Sequence, residues 1–308
     1  MLLAALCSSL PATGVGGQPA APARNDYALR AFDAPFADGL RAFYVRDFAG
    51  ARRSFERALT VVPDNTLAIS FVNAIASQTP GRLDALIDDE EDALGRRPRD
   101  YLTHVRLGFS YLFAAQTGRD RDADAREELD AAVAIAPDQP AAHVGLGILR
   151  ETEGRMNRAK VEFQSALHGD ETNVLAREYL ALIYQTELRD PQRGLTYVID
   201  IPNVAPDYAD IYYHIASLFD DLGQSDAALK FATTGLTKDI GHVGEAGRHG
   251  YTLLARIYLN ERRTGDARRV LRASLAADVD TELATTLLRK IDHGDYDPRK
   301  APPPPRAE

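Results

Sequence analysis

The sequence predicts an all-α fold built by repetition, a stack of helix pairs. Three observations predict it. Anchor positions at Pro63, Pro98, Pro137, Glu171, Pro206, Ile240 and Val279 are spaced 35, 39, 34, 35, 34 and 39 residues apart. A period of that size marks a solenoid, whose units cannot bury their apolar faces alone. Within a unit, Phe55, Leu59 and Val62 fall three or four apart, which places them on one helix face. Proline then closes the second helix of several units, because it cannot donate to the preceding turn. Composition sets further bounds. The 308 residues carry a net charge of -9, which argues against a phosphate-backbone partner. The single cysteine, Cys7, excludes a disulfide framework and a multi-cysteine zinc site. No run of 18 apolar residues follows the N-terminus, so no transmembrane span is expected there.

Residues 1–23 read as a signal-like or disordered leader: an apolar run, small residues, then Ala21-Pro22-Ala23, with no basic start. A lipid anchor at Cys7 is disfavoured, because Leu6 stands where a small residue is usual. The solenoid is expected over residues 24–293, with Asn25 to Ala34 shielding its first end. Unit 32–65 carries the string Asp47 to Leu59. Unit 66–100 is degenerate, with Ala74, Leu86 and Glu90 in place of a glycine, a small residue and an aromatic. Unit 101–139 has Leu107-Gly108-x2-Tyr111 and an insertion at Gln116 to Asp124. Unit 140–173 pairs Leu146-Gly147 with Arg158 to Leu167, which shares A-x3-F-x2-A-L with the first unit. Unit 174–208 has Leu180-Ala181-x2-Tyr184 and a turn at Asp190-Pro191. Unit 209–247 has Ile215-Ala216-x2-Phe219, then Gly223-Gln224-Ser225-Asp226 as turn and cap chemistry. Unit 248–281 follows a second insertion, Gly241 to Gly250, and has Gly265-Asp266 as turn and cap chemistry inside the pair, ahead of the small Ala267. Thr281 to Ile291 reads as a capping helix over 281–292 with Asp280 as its N-cap, and 294–308 as a proline-rich solvated tail.

These strings resemble the tetratricopeptide repeat, a helix-turn-helix unit of about 34 residues marked by W-x2-L-G-x2-Y, A-x3-F and a late Pro. The resemblance implies a right-handed superhelical solenoid of about seven pairs. The family's Trp is absent; His104, His143, Arg177, Tyr212 and Tyr251 take its place, so packing is the expected role of both histidines. The resemblance also implies that partners lie along the concave face. Carried onto this register, the wall is Phe36, Leu40, Phe43, Tyr44, Phe71, Ile75, Val105, Phe109, Leu112, Phe113, Val144 and Ile148 in the first four units. In the later units it becomes Glu178, Gln185, Asp210, Tyr213, Asp220, Asp221, Arg256 and Asn260. Two readings of the apolar half stand side by side: a tight superhelix or the N-terminal segment covers it, or it is a groove for an apolar peptide or partner helix. The family's clamp for a peptide carboxylate is not expected, since Arg256 and Asn260 lack matching partners in neighbouring units.

No motif for a nucleophile, a phosphate loop or a metalloprotease is present, and no catalytic, cofactor-binding or metal residue is nominated. Asp88 to Asp92 read as a solvated helix face, because consecutive helical residues point in different directions. His242 and His249 flank the second insertion without other ligands of the right kind. The expected function is a non-catalytic protein or peptide interaction module. It resembles exported, periplasmic or envelope-associated bacterial scaffolds. A cytoplasmic adaptor, a self-associating homo-oligomeric scaffold, and a hydrolase with a site built from the insertions are the alternatives.

Overall fold

The computed structural model describes residues 26–244 and 247–294; the leader, Asn25 and the tail lie outside them. The described residues form sixteen α-helices and one 3-10 turn, with no strand among them. The pairs are α1 (Asp26–Tyr44) with α2 (Phe48–Val61), α3 (Thr66–Ser77) with α4 (Arg82–Arg96), α5 (Tyr101–Gln116) with α6 (Asp122–Ile135), and α7 (Pro140–Thr152) with α8 (Met156–Gly169). Then come α9 (Val174–Thr186) with α10 (Pro191–Val198) and the short α11 (Ile201–Val204), α12 (Ala209–Asp221) with α13 (Ser225–Lys238), and α14 (Gly250–Asn260) with α15 (Thr264–Ala276). The last helix, α16 (Thr281–His293), packs on α15. The backbone of 26–34 is the first part of α1 itself, which runs on through Pro35.

Helix starts follow capping chemistry. The side chains of Asp47, Asn65, Asp100, Asn173 and Asp190 each accept a backbone N–H three residues on, satisfying a donor the helix leaves free. Asp280 stands at the N-cap of α16, as expected, and its carbonyl accepts from Ala284 N, but its side chain bonds no N–H of the helix. It sits in the left-handed region, and its carboxylate turns back to accept from Thr252 Oγ1 (2.8 Å) and to meet His249 Nδ1 (3.0 Å). The acid thus ties the last cap to α14. Gly265-Asp266 also lies within α15, where Asp266 meets Arg263 and Arg269 in the first turn. Pro202 explains the break after α10: its ring lacks a donor and clashes with the carbonyl four residues earlier, at Val198.

Each turn inside a pair demands one left-handed residue. Arg46, Gly81, Gly118, Gly154, Arg189, Gly223 and Arg262 supply it, all with φ between 53° and 86°. Glycine meets that demand without a Cβ clash, and arginine does so under strain.

Between the helices of a pair, a small residue admits a large one. A Cβ added at Gly39 would lie 2.7 Å from the Phe55 ring, at Gly108 2.6 Å from Leu129, and at Gly147 2.5 Å from Phe163. Ala51, Ala125, Ala159, Ala228 and Ala267 are fully buried on the facing helices, as the close approach requires. The family's Trp slot is filled by hydrogen-bonding side chains. His104 Nε2 lies 3.2 Å from the Pro98 carbonyl, His143 Nε2 2.9 Å from that of Pro137, and Tyr212 OH donates to that of Pro206 (2.9 Å). The other ring nitrogens reach Glu128 (2.6 Å) and Glu162 (2.8 Å) on the second helix of each pair. Arg177 solves the same problem differently, donating through Nε to the Tyr197 carbonyl (2.7 Å) beside the break in α10.

The stack closes on itself. Residues of α1 and of the turn after it meet residues 207–241, far along the chain. Arg41 pairs with Asp207 (2.6 Å), Tyr44 OH donates to Asp210 Oδ2 (2.9 Å), Gly241 N donates to the Tyr44 carbonyl (2.7 Å), and Arg46 Nε donates to the Gly241 carbonyl (2.8 Å). One apolar cluster runs through the body of the stack from Phe36 to Leu218.

Candidate interaction site

The inner face divides into two halves with different fates. In the early half, Leu40, Phe43, Tyr44, Ile75, Val105, Phe109, Leu112, Val144 and Ile148 are buried, as are Phe36 and Phe71; Phe113 is half-buried. The expectation of an open apolar groove is therefore corrected. The first of the two readings describes this structure: the wall is core. Packing between successive pairs accounts for most of this burial, and the closure adds to it at Tyr44 and Phe71. Phe71 packs edge-on against Tyr208 (6.1 Å between centroids), and it also stacks on Phe55 (4.9 Å) and meets Phe43 (4.8 Å). Thr66 and Asn173 meet at 3.4 Å across 107 residues of sequence. Apolar side chains that would face a partner in an open stack face other repeats here.

In the later half the polar residues are used between repeats. Glu178 accepts from Tyr208 OH (2.7 Å). Gln185 Nε2 donates to Ser217 Oγ (3.0 Å) and Asp221 Oδ2 (2.5 Å). Asp220 accepts from Arg256 Nε and Asn260 Nδ2, both at 3.0 Å. Asp210 accepts from Tyr44, and Tyr213 is buried against Gly235 and Gly250. Burial, and then the neighbouring Asp210 carboxylate, push the Tyr44 phenol well above its ordinary range. Arg256 and Asn260 converge on the chain's own Asp220, so a partner's carboxylate would have to displace it. The polar wall is a set of internal ties: Gln185–Asp221 and Asp220–Arg256 join adjacent units, and Tyr44–Asp210 joins remote ones.

Outside the inner face, Asp88, Asp89, Glu91 and Asp92 are exposed, as a solvated face requires. Glu90 departs from it and turns inward, with Oε2 2.7 Å from Ser110 Oγ, which in turn lies 2.9 Å from Asn73 Oδ1. Burial raises its pKa to about 7. The histidines at the second insertion serve separate contacts: His242 packs on the Tyr251 ring (5.1 Å), and His249 meets Asp280. No group of three or more His, Cys, Asp or Glu is arranged for a metal among the described residues. No described helix is long and apolar enough to cross a membrane.

Sequence reasoning missed the seam residues Arg41, Arg46, Asp207 and Gly241. The 39-residue spacing marked the second insertion, but nothing in local sequence shows that it lands on a turn 195 residues away.

A tetratricopeptide repeat model matches residues 209–237, which are α12 and α13. The TPR protein YrrB, described as having an unusual peptide-binding site, aligns with 65% of this chain and 97% of its own at 16% identity and a TM-score of 0.50. A tetratricopeptide repeat protein from Parabacteroides merdae covers 85% of this chain and 99% of its own, at 15% identity and a TM-score of 0.49. A thermophilic TPR protein from Thermus thermophilus covers 61% and 99%, at 20% identity and 0.44. No curated protein matches the chain. At these identities the likeness is one of fold.

Proposed function

We propose that this chain, a tetratricopeptide-repeat protein, is a non-catalytic scaffold for protein–protein interaction. One observation carries the reading. Glu178, Gln185, Asp210, Asp220, Arg256 and Asn260 on the inner face are engaged with other side chains of the stack, as Asp220 is with Arg256 and Asn260, and so act as a structural frame. A fold by itself does not fix function, so the argument rests on how those side chains are used. The partner is a peptide or a partner helix of another protein, taken along the inner face; YrrB, which shares the fold, is described as having a peptide-binding site. Its place in an exported or envelope complex rests on the apolar start and Ala21-Pro22-Ala23, which lie outside the described residues.

The test uses the full chain with a photocrosslinking residue at Asn260, on the inner face, or at Val161, exposed on α8. A protein that co-elutes at fixed stoichiometry and crosslinks from position 260 supports the reading. One that crosslinks only from position 161 moves the site to the outer face. A chain that stays free of any partner in extracts of its own cells removes the scaffold reading. Fractionation of the same cells reports the compartment.

A further inference from the structure

The second insertion, between α13 and α14, has no role in building a repeat, yet it is carefully made. Asp239 is fully buried, and its carboxylate accepts from the backbone N–H groups of Val243 (3.0 Å) and Gly244 (3.3 Å), which folds the segment into a fixed loop. His242 holds a left-handed backbone and packs on Tyr251. The tip of this loop, Gly241, is what touches the first unit: its N–H donates to the Tyr44 carbonyl, and its own carbonyl accepts from Arg46 Nε. Arg46 is itself in the left-handed region, in the turn between α1 and α2. Two strained turns thus meet at one glycine.

We infer that the loop 239–244 is a clasp that gates the inner face: seated on Tyr44 and Arg46, it holds the stack shut over the apolar wall, and released, it lets α1 and α2 swing off Tyr208 and uncover Tyr44 and Phe71. Contacts within a pair and between adjacent pairs are continuous along the stack, as repeat architectures require. The seam, by contrast, joins units remote in sequence through separate contacts: the four polar ones at Arg41, Tyr44 and Arg46, the Thr66–Asn173 pair, the Phe71–Tyr208 ring contact, and Val243 of the loop packed on the core. Such a contact opens as a local event while the repeats on either side stay folded. In the closed state the occupant of the face is the chain's own first helix pair, so the contact is autoinhibitory. The gating role rests on the interaction reading above; the opening itself does not.

Gly241 offers a clean lever. A Cβ there would lie 2.9 Å from the Tyr44 carbonyl oxygen and 2.9 Å from Arg46 Cγ, and Gly241 has no positive φ that alanine would strain. Gly265 is the control, since nothing lies within 4 Å of a Cβ built on it. The measurement is native-state hydrogen exchange read by mass spectrometry on the full chain, with circular dichroism to check the fold. In Gly241→Ala, amides of Phe43 to Asp47 and of Asp207 to Tyr212 should exchange at least tenfold faster, while those of Val144 to Leu149 keep their rate. Gly265→Ala should leave all three unchanged. Unchanged exchange at the seam in Gly241→Ala overturns the clasp. So does equal acceleration in α7, which would mean that opening and unfolding are one event. If Gly241→Ala does not fold, Tyr44→Phe, which removes the bond to Asp210 and keeps the ring, is read in the same way. No partner enters this experiment, so its failure is separable from failure of the scaffold reading. If the clasp holds, a partner identified by crosslinking should bind Gly241→Ala more tightly than the parent chain.

Discussion

The fourth helix pair and the second show what three changed positions, one of them a carboxylate, do to a repeat. In the fourth, Phe163 enters the gap over Gly147, Ala159 lets the helices close, and both helices pack along their length. The corresponding inward position is fully buried in six pairs: Phe55, Leu129, Phe163, Val198, Ala232 and Leu271. In the second pair that position is Glu90, the glycine is Ala74, and the small residue is Leu86. A carboxylate cannot fill an apolar gap without losing its hydration. α4 therefore makes more of its contact with α5 than with α3, and Glu90 finds Ser110 there. The period survives because neighbours hold the unit, which is how a one-dimensional stack tolerates a weak member.

The largest expected effect comes from breaking the regular pair. Phe163→Ala should cost about 3–5 kcal/mol, because the gap over Gly147 cannot collapse around alanine. Urea unfolding measures it, and a loss below 1 kcal/mol would mean the slot is not the packing centre described.

The second pair should instead show itself through pH. The Glu90 pKa is raised from 4.5 to about 7, so the folded state holds a proton that the unfolded state gives up between those values. Stability conferred by this proton is therefore full at low pH and falls as pH rises from about 4.5 to about 7, by up to about 3 kcal/mol. Glu90→Gln should flatten that part of the stability–pH curve. A slope identical to the parent's would place the titration elsewhere.

Overfilling the regular pair is a smaller perturbation. Ala159 is fully buried, and Ala159→Leu should cost about 1–3 kcal/mol by overpacking. Unchanged thermal stability would remove Ala159 from the contact.

The smallest effect separates the two pairs by pH window. His143 is raised above its ordinary 6.5, first by its bond to Glu162 and also by the Pro137 carbonyl. Its contribution is full below 6.5 and is lost as pH rises through the raised folded value, a window that opens near the upper end of the Glu90 range. His143→Gln should weaken the pH dependence there and leave the acid side unchanged. Loss of the acid-side slope as well would couple the two pairs.

The sequence by itself determined the all-α repeat, the motif places of Gly108 and Gly147, and the placing of His104 and His143 in the slot of the missing Trp. These are near-neighbour matters: a period, a cap or a gap is set by residues within one unit or the next. It also showed that Glu90 breaks the pattern, though not that Glu90 turns inward. Only the tertiary structure decided whether the inner face is open. That depends on how small turns from pair to pair accumulate until Tyr44 meets Asp210 and Arg46 meets Gly241, and no residue reports such a sum locally. The same tertiary packing decided between the two readings of the apolar wall in favour of the covered one, and gave a spacing irregularity a contact with the first unit.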